Sequence, residues 1–277
     1  MSALFTLQIA GLRVTVDCHH RKLASVFRRR YRGFLAPDGL PPDLYADVRW
    51  VGTARENALL ETGLRFENGV LHFTAAGYTG QIDAAQGRGE LALSSKQPVE
   101  EIDYYLRVIY ALLAHKAGGV LLHAAGMART GEAYLFLGPS GVGKTTLCRV
   151  SQPLAEVLND DLILLLPRGD SWQACSTPFW NPTQVPPVPA SAPLRAMFKL
   201  RQSEQVLLCP MGAGQALAAL AAGAPVIPED PTRVPRLLET LAALQRAAPM
   251  YELHFRPDAS FWALLENGKL PQRQPPF

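Results

Sequence analysis

The sequence predicts an α/β protein in which a mixed, largely antiparallel sheet surrounds one glycine-rich loop, preceded by a β-rich N-terminal region. Three observations predict it. Residues 133–146, AYLFLGPSGVGKTT, read as a buried strand, a tight loop and the start of a helix. An apolar strand at 120–127 is joined to that stretch by a short turn at 129–132, and two strands so connected must be antiparallel neighbours. In the first 95 residues, apolar positions alternate in short runs between turn residues, as in half-buried strands. With 277 residues, 48% apolar and 18% charged, the chain can bury a sizeable core in one domain or two.

Residues 4–17 place Phe5, Leu7, Ile9 and then Leu12, Val14 and Val16 on one face, which predicts two strands about Gly11. Residues 19–34, HHRKLASVFRRRYRGF, carry Leu23, Val26, Phe27 and Tyr31 at helical spacing among Arg, Lys and His. This basic amphipathic helix reads either as a solvated face or as a docking surface for an acidic peptide or protein. A strand at 43–51 follows, then a hairpin at 64–73 whose Asn68-Gly69 supplies a type I′ turn, a Gly-rich connection, and a strand near 90–93. The region 1–97 therefore reads as mainly antiparallel β with one helix, and it carries no recognisable catalytic constellation.

The second domain is expected to span 98–277. At 98–116 the period becomes helical, with Ile102, Tyr105, Leu106, Ile109, Leu112 and Leu113 on one stripe. Glu100, Glu101 and Asp103 at its start and His115 and Lys116 at its end suit the helix dipole, and Gly118-Gly119 ends it. After the loop, a helix at 143–151 is cut by Pro153, and strands follow at 155–158, 162–166 and 171–176. Residues 178–193, PFWNPTQVPPVPASAP, hold six prolines and cannot form a helix or a central strand. They read as a rigid connector or as an active-site lid or substrate-binding arm. A strand at 195–200, helices at 211–222 and 235–247, a strand at 250–255, a helix at 258–265 with Asp258 as N-cap, and a frayed tail at 270–277 complete the chain.

The chemistry concentrates in Gly138-Pro139-Ser140-Gly141-Val142-Gly143-Lys144-Thr145, which satisfies the phosphate-loop pattern of two glycines, Lys and Ser/Thr at fixed spacing. Glycines let backbone amides turn inward with no Cβ in the way, and the amides form an anion nest at a helix N-terminus. Lys144 is expected to bridge the β- and γ-phosphates of ATP and Thr145 to offer its hydroxyl to Mg²⁺, with Thr146 completing the binding set. Asp160-Asp161 ends an apolar strand shortly after the loop helix. One carboxylate there can hold Mg²⁺ and one can accept the proton of an attacking hydroxyl. On an extended chain the two point to opposite faces, so they are expected to divide these roles; the plainer alternative is an Asp pair closing a turn. His123, on the strand beside the loop strand, is either a satisfied core residue or a group that tunes the Asp pair or contacts the γ-phosphate. Arg195 and Arg201 are each read as a cation for the transferring phosphoryl group or as an ordinary surface charge.

At His123, the hairpin to Leu135-Phe136-Leu137, the glycine-rich loop and Leu158-Asn159-Asp160-Asp161, the chain resembles the catalytic domain of HPr kinase/phosphorylase, within the phosphoenolpyruvate-carboxykinase-like group of P-loop folds. The spacing, 21 residues from His123 to Lys144 and 16 from Lys144 to Asp160, fits that family, and the resemblance covers about residues 118–166. It implies a kinase core whose loop sits between antiparallel strands. It also implies Asp160 as base toward a serine hydroxyl, Asp161 and Thr145 at the metal, His123 beside them, and a homo-oligomer, since HPr kinases form hexamers. The chain departs from that family in having Thr146 where HPr kinases have Glu, and in lacking their glycine- and arginine-rich C-terminal region. Pro193-Leu194-Arg195, Tyr251-Glu252-Leu253-His254-Phe255 and Phe261-Trp262 are more like HPr-kinase-related proteins of bacterial peptide-natural-product clusters.

The expected function is an ATP-dependent kinase acting on a Ser or Thr hydroxyl of a peptide or small protein, such as a natural-product precursor peptide. Two other readings stay open, a nucleotide-binding regulatory or assembly protein without kinase activity and a small-metabolite kinase. An ABC-type ATPase is excluded, because no Leu-Ser-Gly-Gly-Gln signature is present. A net charge of +3 is too weak to argue for nucleic acid. No run of 18 apolar residues argues for a membrane span, and the N-terminus has no basic and compact apolar signal pattern. Four cysteines, Cys18, Cys148, Cys175 and Cys209, are far apart with no Cys-x-x-Cys, which predicts reduced thiols and a cytoplasmic protein.

Overall fold

The computed structural model describes residues 3–37, 39–55, 63–75, 77–95, 98–179, 187–266 and 270. The chain is mixed α/β and divides into two compact units, Met1–Ala117 with Val226–Val234, and Gly118–Pro225 with Pro235–Phe277. No helix among the described residues is long and apolar enough to cross a membrane, and all four cysteines are free thiols.

In the first unit, β1 (Ala3–Ile9) and β2 (Leu12–Cys18) form an antiparallel hairpin turned at Ala10 and Gly11. Helix α1 (Arg21–Arg30) and a short 3₁₀ turn (Arg32–Phe34) lead to β3 (Leu44–Arg55), β4 (Gly63–Glu67), β5 (Val70–Ala75), β6 (Tyr78–Asp83), β7 (Arg88–Ser95) and α2 (Pro98–Lys116). The seven strands make one sheet in the order β1-β2-β3-β7-β6-β5-β4. Its inner face buries Leu7, Val14, Val16, Val48, Leu91 and Leu93 against the apolar sides of α1 and α2. The Asn68-Gly69 hairpin forms as expected, both residues having positive φ (50° and 82°).

Three features of this unit differ from the sequence reading. The centre of the sheet is parallel, β2 with β3 and β3 with β7, because α1 is the crossover between β2 and β3 and returns the chain in the same direction. Strand β6 occupies part of what reads as a connection. Its Gly80 breaks the apolar alternation, yet the glycine is required, because the Phe73 ring lies 2.3 Å from where a Cβ would stand. The boundary expected between residues 97 and 98 falls instead after α2, which packs with the N-terminal unit. Tyr105 meets Phe73 edge-on at 5.5 Å, and the Tyr110 hydroxyl donates to the Leu7 carbonyl at 3.0 Å. The change to a helical period marked a change of element, not of compact unit.

The second unit contains β8 (Val120–Arg129), β9 (Glu132–Leu137), α3 (Lys144–Ser151), β10 (Glu156–Asn159), β11 (Leu162–Arg168), β12 (Ser171–Cys175), β13 (Ser191–Gln202), β14 (Leu207–Pro210), α4 (Ala213–Gly223), most of α5 (Val234–Ala247), β15 (Met250–Phe255) and α6 (Phe261–Glu266). The path β10-β8-β11-β12-β13-β15-β14, with β9 between β8 and β13, makes a mixed sheet of eight strands. As the short turn requires, β8 and β9 are antiparallel, from Ala124 opposite Leu137 to Arg129 opposite Glu132. On its other side β9 runs parallel to β13, which runs parallel to β15. An aromatic cluster fills one face, with Phe136 stacked on Phe198 at 5.2 Å and Phe261 edge-on to Phe136 at 5.7 Å. Leu147 and Cys148 of α3 join it, and the Trp262 indole donates to Ser151 Oγ at 2.9 Å, tying α6 to α3.

Within the proline-rich stretch, residues 180–186, and with them that part of the reading as lid, arm or connector, lie outside the described residues. Its end, residues 191–193, is already strand, with Pro193 opposite Gln173. Strand β14 was not foreseen. Asp258 accepts the Ser260 amide at 2.9 Å just ahead of α6. Of the expected frayed tail, 271–277 lie outside the described residues, whereas Leu270 is buried in the aromatic core.

Candidate functional site

Three parallel strands, β9, β13 and β15, end at one edge of the second sheet. Ligand sites in α/β sheets form beyond the carboxyl ends of such strands. The glycine-rich loop follows β9 and turns into α3 at Lys144. Gly143 has φ of +110°, and the Phe255 ring at the end of β15 lies 2.9 Å from where its Cβ would be, so both backbone and packing demand glycine. Gln202, at the end of β13, donates its side-chain amide to the Val142 carbonyl at 3.2 Å and the Gly141 carbonyl at 3.5 Å. The loop is thereby held from the two strands beside it.

Above the loop opens a cavity of about 230 Å³ lined by His123, Ser140, Gly141, Gly143, Lys144, Thr145, Thr146, Asp160 and Asp161. The fold thus collects residues from β8, the loop, α3 and the β10–β11 turn. Gly138, Pro139 and Val142 are not in the lining. Gly138 and Pro139 present their carbonyls to the Lys144 ammonium at 2.8 and 3.3 Å, and Val142 packs on the aromatic core. Burial pushes the Lys144 pKa down, while the carboxylates of Asp161 and Asp160 push it back up.

The two aspartates stand in a bend and not on extended chain, so both reach the cavity instead of facing opposite ways. Their surroundings separate them. His123 on β8 lies opposite Leu162 on β11, a register that brings its Nε2 to 2.9 Å from Asp161 Oδ1. Asp160 is 1% exposed, and neither of its carboxylate oxygens makes a hydrogen bond. Burial pushes its pKa up, the nearby Thr145 hydroxyl pulls it down, and the charge of Asp161 pushes it up again.

Asn159, which the motif reading leaves without a role, holds this bend. Its Oδ1 accepts the amides of Asp161 at 2.7 Å and Leu162 at 2.9 Å. Its Nδ2 donates to the carbonyls of Thr177 at 2.9 Å and Phe179 at 3.0 Å. The side chain is fully buried and bonded at both ends. An Asn directly before two acidic residues at the end of an apolar strand was the available signal. Gln202 gave no comparable signal, because its contact depends on the parallel pairing of β9 with β13.

The two arginines considered for the site part company. Arg195 lies near the start of β13, level with the start of β9 and thus at the far end from the loop, and pairs with Glu132 at 3.5 Å. Arg201 lies toward the loop end, pairs with Glu252 at 3.4 Å and is 66% exposed. Neither lines the cavity. Among the described residues, no group of three or more His, Cys, Asp or Glu could hold a metal ion unaided.

The family described as SynChlorMet cassette protein ScmC matches residues 94–270, more than half of the chain. The chain belongs to the ScmC family. Every residue that lines the cavity falls within the ScmC match, as do Asn159 and Gln202. No curated protein matches the chain.

Proposed function

We propose that the protein is a cytoplasmic P-loop kinase that transfers the γ-phosphoryl group of ATP to a Ser or Thr hydroxyl of a peptide or small protein. The observation that carries this reading is Asp160, a buried carboxylate with no hydrogen bond, in one cavity with Lys144 and Thr145 of the glycine-rich loop. The resemblance of the His123, loop and Asp160-Asp161 set to HPr kinases supports it. The description of the family as a cassette protein suits an acceptor encoded alongside, such as a precursor peptide.

The residues present fit a nucleotide with Mg²⁺. Lys144 now rests on the loop's own carbonyls, a position from which its ammonium can turn to phosphate oxygens. Thr145 and Asp161 would hold Mg²⁺, which when bound neutralises phosphate charge. One carboxylate and one hydroxyl form a sparse set, and Mg²⁺ characteristically binds through one or two carboxylates together with phosphate oxygens and water. His123 keeps Asp161 oriented through their 2.9 Å contact. Asp160 takes the proton of the acceptor hydroxyl as its oxygen bonds to the γ-phosphorus and the bond to the ADP oxygen breaks. A carboxylate raised by burial is a stronger base than an ordinary one.

The test uses labelled ATP and the peptides encoded beside the gene. The wild-type protein should transfer label to one of them. Asp160→Asn should bind ATP as before and lose transfer by about 10²- to 10⁴-fold. Lys144→Ala should lose ATP affinity or transfer. Full transfer by the Asp160 variant removes the base, unchanged behaviour of the Lys144 variant removes the loop, and a wild-type protein that does not bind ATP removes the whole reading.

A further inference from the structure

Helix α1 and the turn after it carry six Lys or Arg within residues 21–32 and no acidic residue, in a chain whose net charge is only +3. The helix is anchored by its apolar side. Leu23, Ala24 and Phe27 are buried, and Phe27 stacks on Phe5 at 6.1 Å. Arg30 turns onto Asp103 at 3.2 Å, and Arg28 donates to the Leu4 carbonyl at 3.4 Å. The others do not follow the pattern of a merely solvated helix, which alternates charges so that pairs three or four residues apart attract. Here no carboxylate is interleaved, and Arg21 and Lys22 sit in the first turn, where the helix dipole disfavours cations. Lys22, Arg29 and Arg32 are exposed and have no ion pair among the described residues. Lys22 and Arg29 are seven residues apart, two turns or about 10 Å along one side of the helix.

We infer that the outward side of α1 is a docking surface for an acidic peptide segment, with Lys22, Arg29 and Arg32 as its carboxylate-binding groups. Guanidinium and carboxylate match as paired donors and acceptors, and an extended or helical run of Glu or Asp can place carboxylates at this spacing. The surface does not suit lipid, because an interfacial helix needs large apolar side chains on its exposed side. Here Leu23 and Phe27 face inward, and Val26 is the helix's one exposed large apolar residue, at 42%. Nor does it suit nucleic acid, since the exposed side of the helix offers no aromatic ring for stacking and the chain as a whole is only mildly basic. The inference does not depend on phosphoryl transfer, and its test measures binding alone.

The probe is fluorescein-labelled decaglutamate, titrated with the full chain at low salt and followed by anisotropy. The wild-type protein should bind saturably, and binding should fade as salt shortens the screening length from about 10 Å at 0.1 M to about 3 Å at 1 M. Lys22→Glu/Arg29→Glu/Arg32→Glu should weaken binding by about tenfold or more. The corresponding triple Gln variant, which introduces no repulsion and carries the test if the Glu variant does not fold, should weaken it less but measurably. Arg49→Glu/Arg65→Glu/Arg88→Glu makes the same change in net charge on the sheet of the same unit and should leave affinity within about twofold. Equal losses in the two Glu triples, no saturable binding by the wild type, or tighter binding to phosphatidylserine vesicles or a single-stranded oligonucleotide than to decaglutamate would each overturn the assignment.

Discussion

Both units of the molecule bury aspartate almost completely, and Asp103 of the first and Asp160 of the second are treated in opposite ways. Asp103 in the first unit, 4% exposed, accepts from the Tyr31 hydroxyl at 2.5 Å, from Arg30 Nε at 3.2 Å and from Arg107 Nε at 2.9 Å. Burial, with the Asp103 charge beside it, holds the Tyr31 pKa well above the phenol range, so this donor keeps its proton at any physiological pH. Asp160 in the second unit, 1% exposed, has no hydrogen bond at either oxygen. A buried carboxylate whose oxygens make no well-formed hydrogen bond is destabilising. The first aspartate is a structural tie between α1 and α2. The second is held at a cost in stability, the arrangement that the proposed role as base calls for. Burial alone would not have told them apart; the partners do.

The largest effect should come from breaking the satisfied aspartate. Asp103→Ala leaves Tyr31, Arg30 and Arg107 facing an empty site. Breaking a buried ion pair by removing one partner costs about 3–5 kcal/mol. With Arg107 29% exposed and able to turn to water, the low end, about 3 kcal/mol, is expected. Denaturant unfolding checks it, and a loss below about 1 kcal/mol would mean the cluster contributes no more than a surface pair.

A smaller effect is expected at Asn159, which supports the unsatisfied aspartate without being it. Asn159→Ala removes two accepted and two donated backbone bonds. The buried groups left behind should cost about 2–3 kcal/mol. Because the bend presenting Asp160 and Asp161 loosens, kcat for transfer should fall by about tenfold or more, with ATP affinity nearly unchanged. Lost stability with unchanged kcat would reduce Asn159 to a structural residue.

What could be read from the sequence follows the range of the interactions involved. Helix α2 was legible from end to end, because nineteen residues of one period with charges suited to both ends admit one reading. The β8–β9 hairpin and the glycine-rich loop were legible for the same reason, since turn length and glycine spacing act within a few residues. Strands β6 and β14 were not, because a glycine-broken run and a four-residue run carry too little pattern. The parallel centre of the first sheet was not either, because it depends on pairing between strands far apart in sequence. At the site, His123 and the Asp pair could be named from composition and order. That His123 meets Asp161 and not Asp160 depends on the β8–β11 register, and that the oxygens of Asp160 lack hydrogen bonds of good geometry appears only once burial and partners are known.

The subtlest expected effect tests the comparison at its root. Burial, the largest influence, raises the folded-state pKa of Asp160 above the ordinary value of 3.8. The folded chain therefore holds this proton to higher pH than the unfolded chain does. Stability from this group is undiminished below the ordinary value and falls as pH rises through the window between the unfolded and folded pKa values. At neutral pH, without nucleotide or Mg²⁺, the wild-type protein therefore draws less stability from this group than it does in acid. Asp160→Asn removes the charge in a side chain of the same shape, so it should be more stable at neutral pH, with a higher Tm in a thermal melt. The advantage should shrink as the buffer is acidified, because the wild-type carboxyl then becomes neutral as well. A variant less stable than wild type at neutral pH would mean that Asp160 has a structural partner as Asp103 does. A gap that widens on acidification would mean that the pKa is shifted the other way. Gain of stability together with loss of transfer is the combination that only a functional, unsatisfied carboxylate gives.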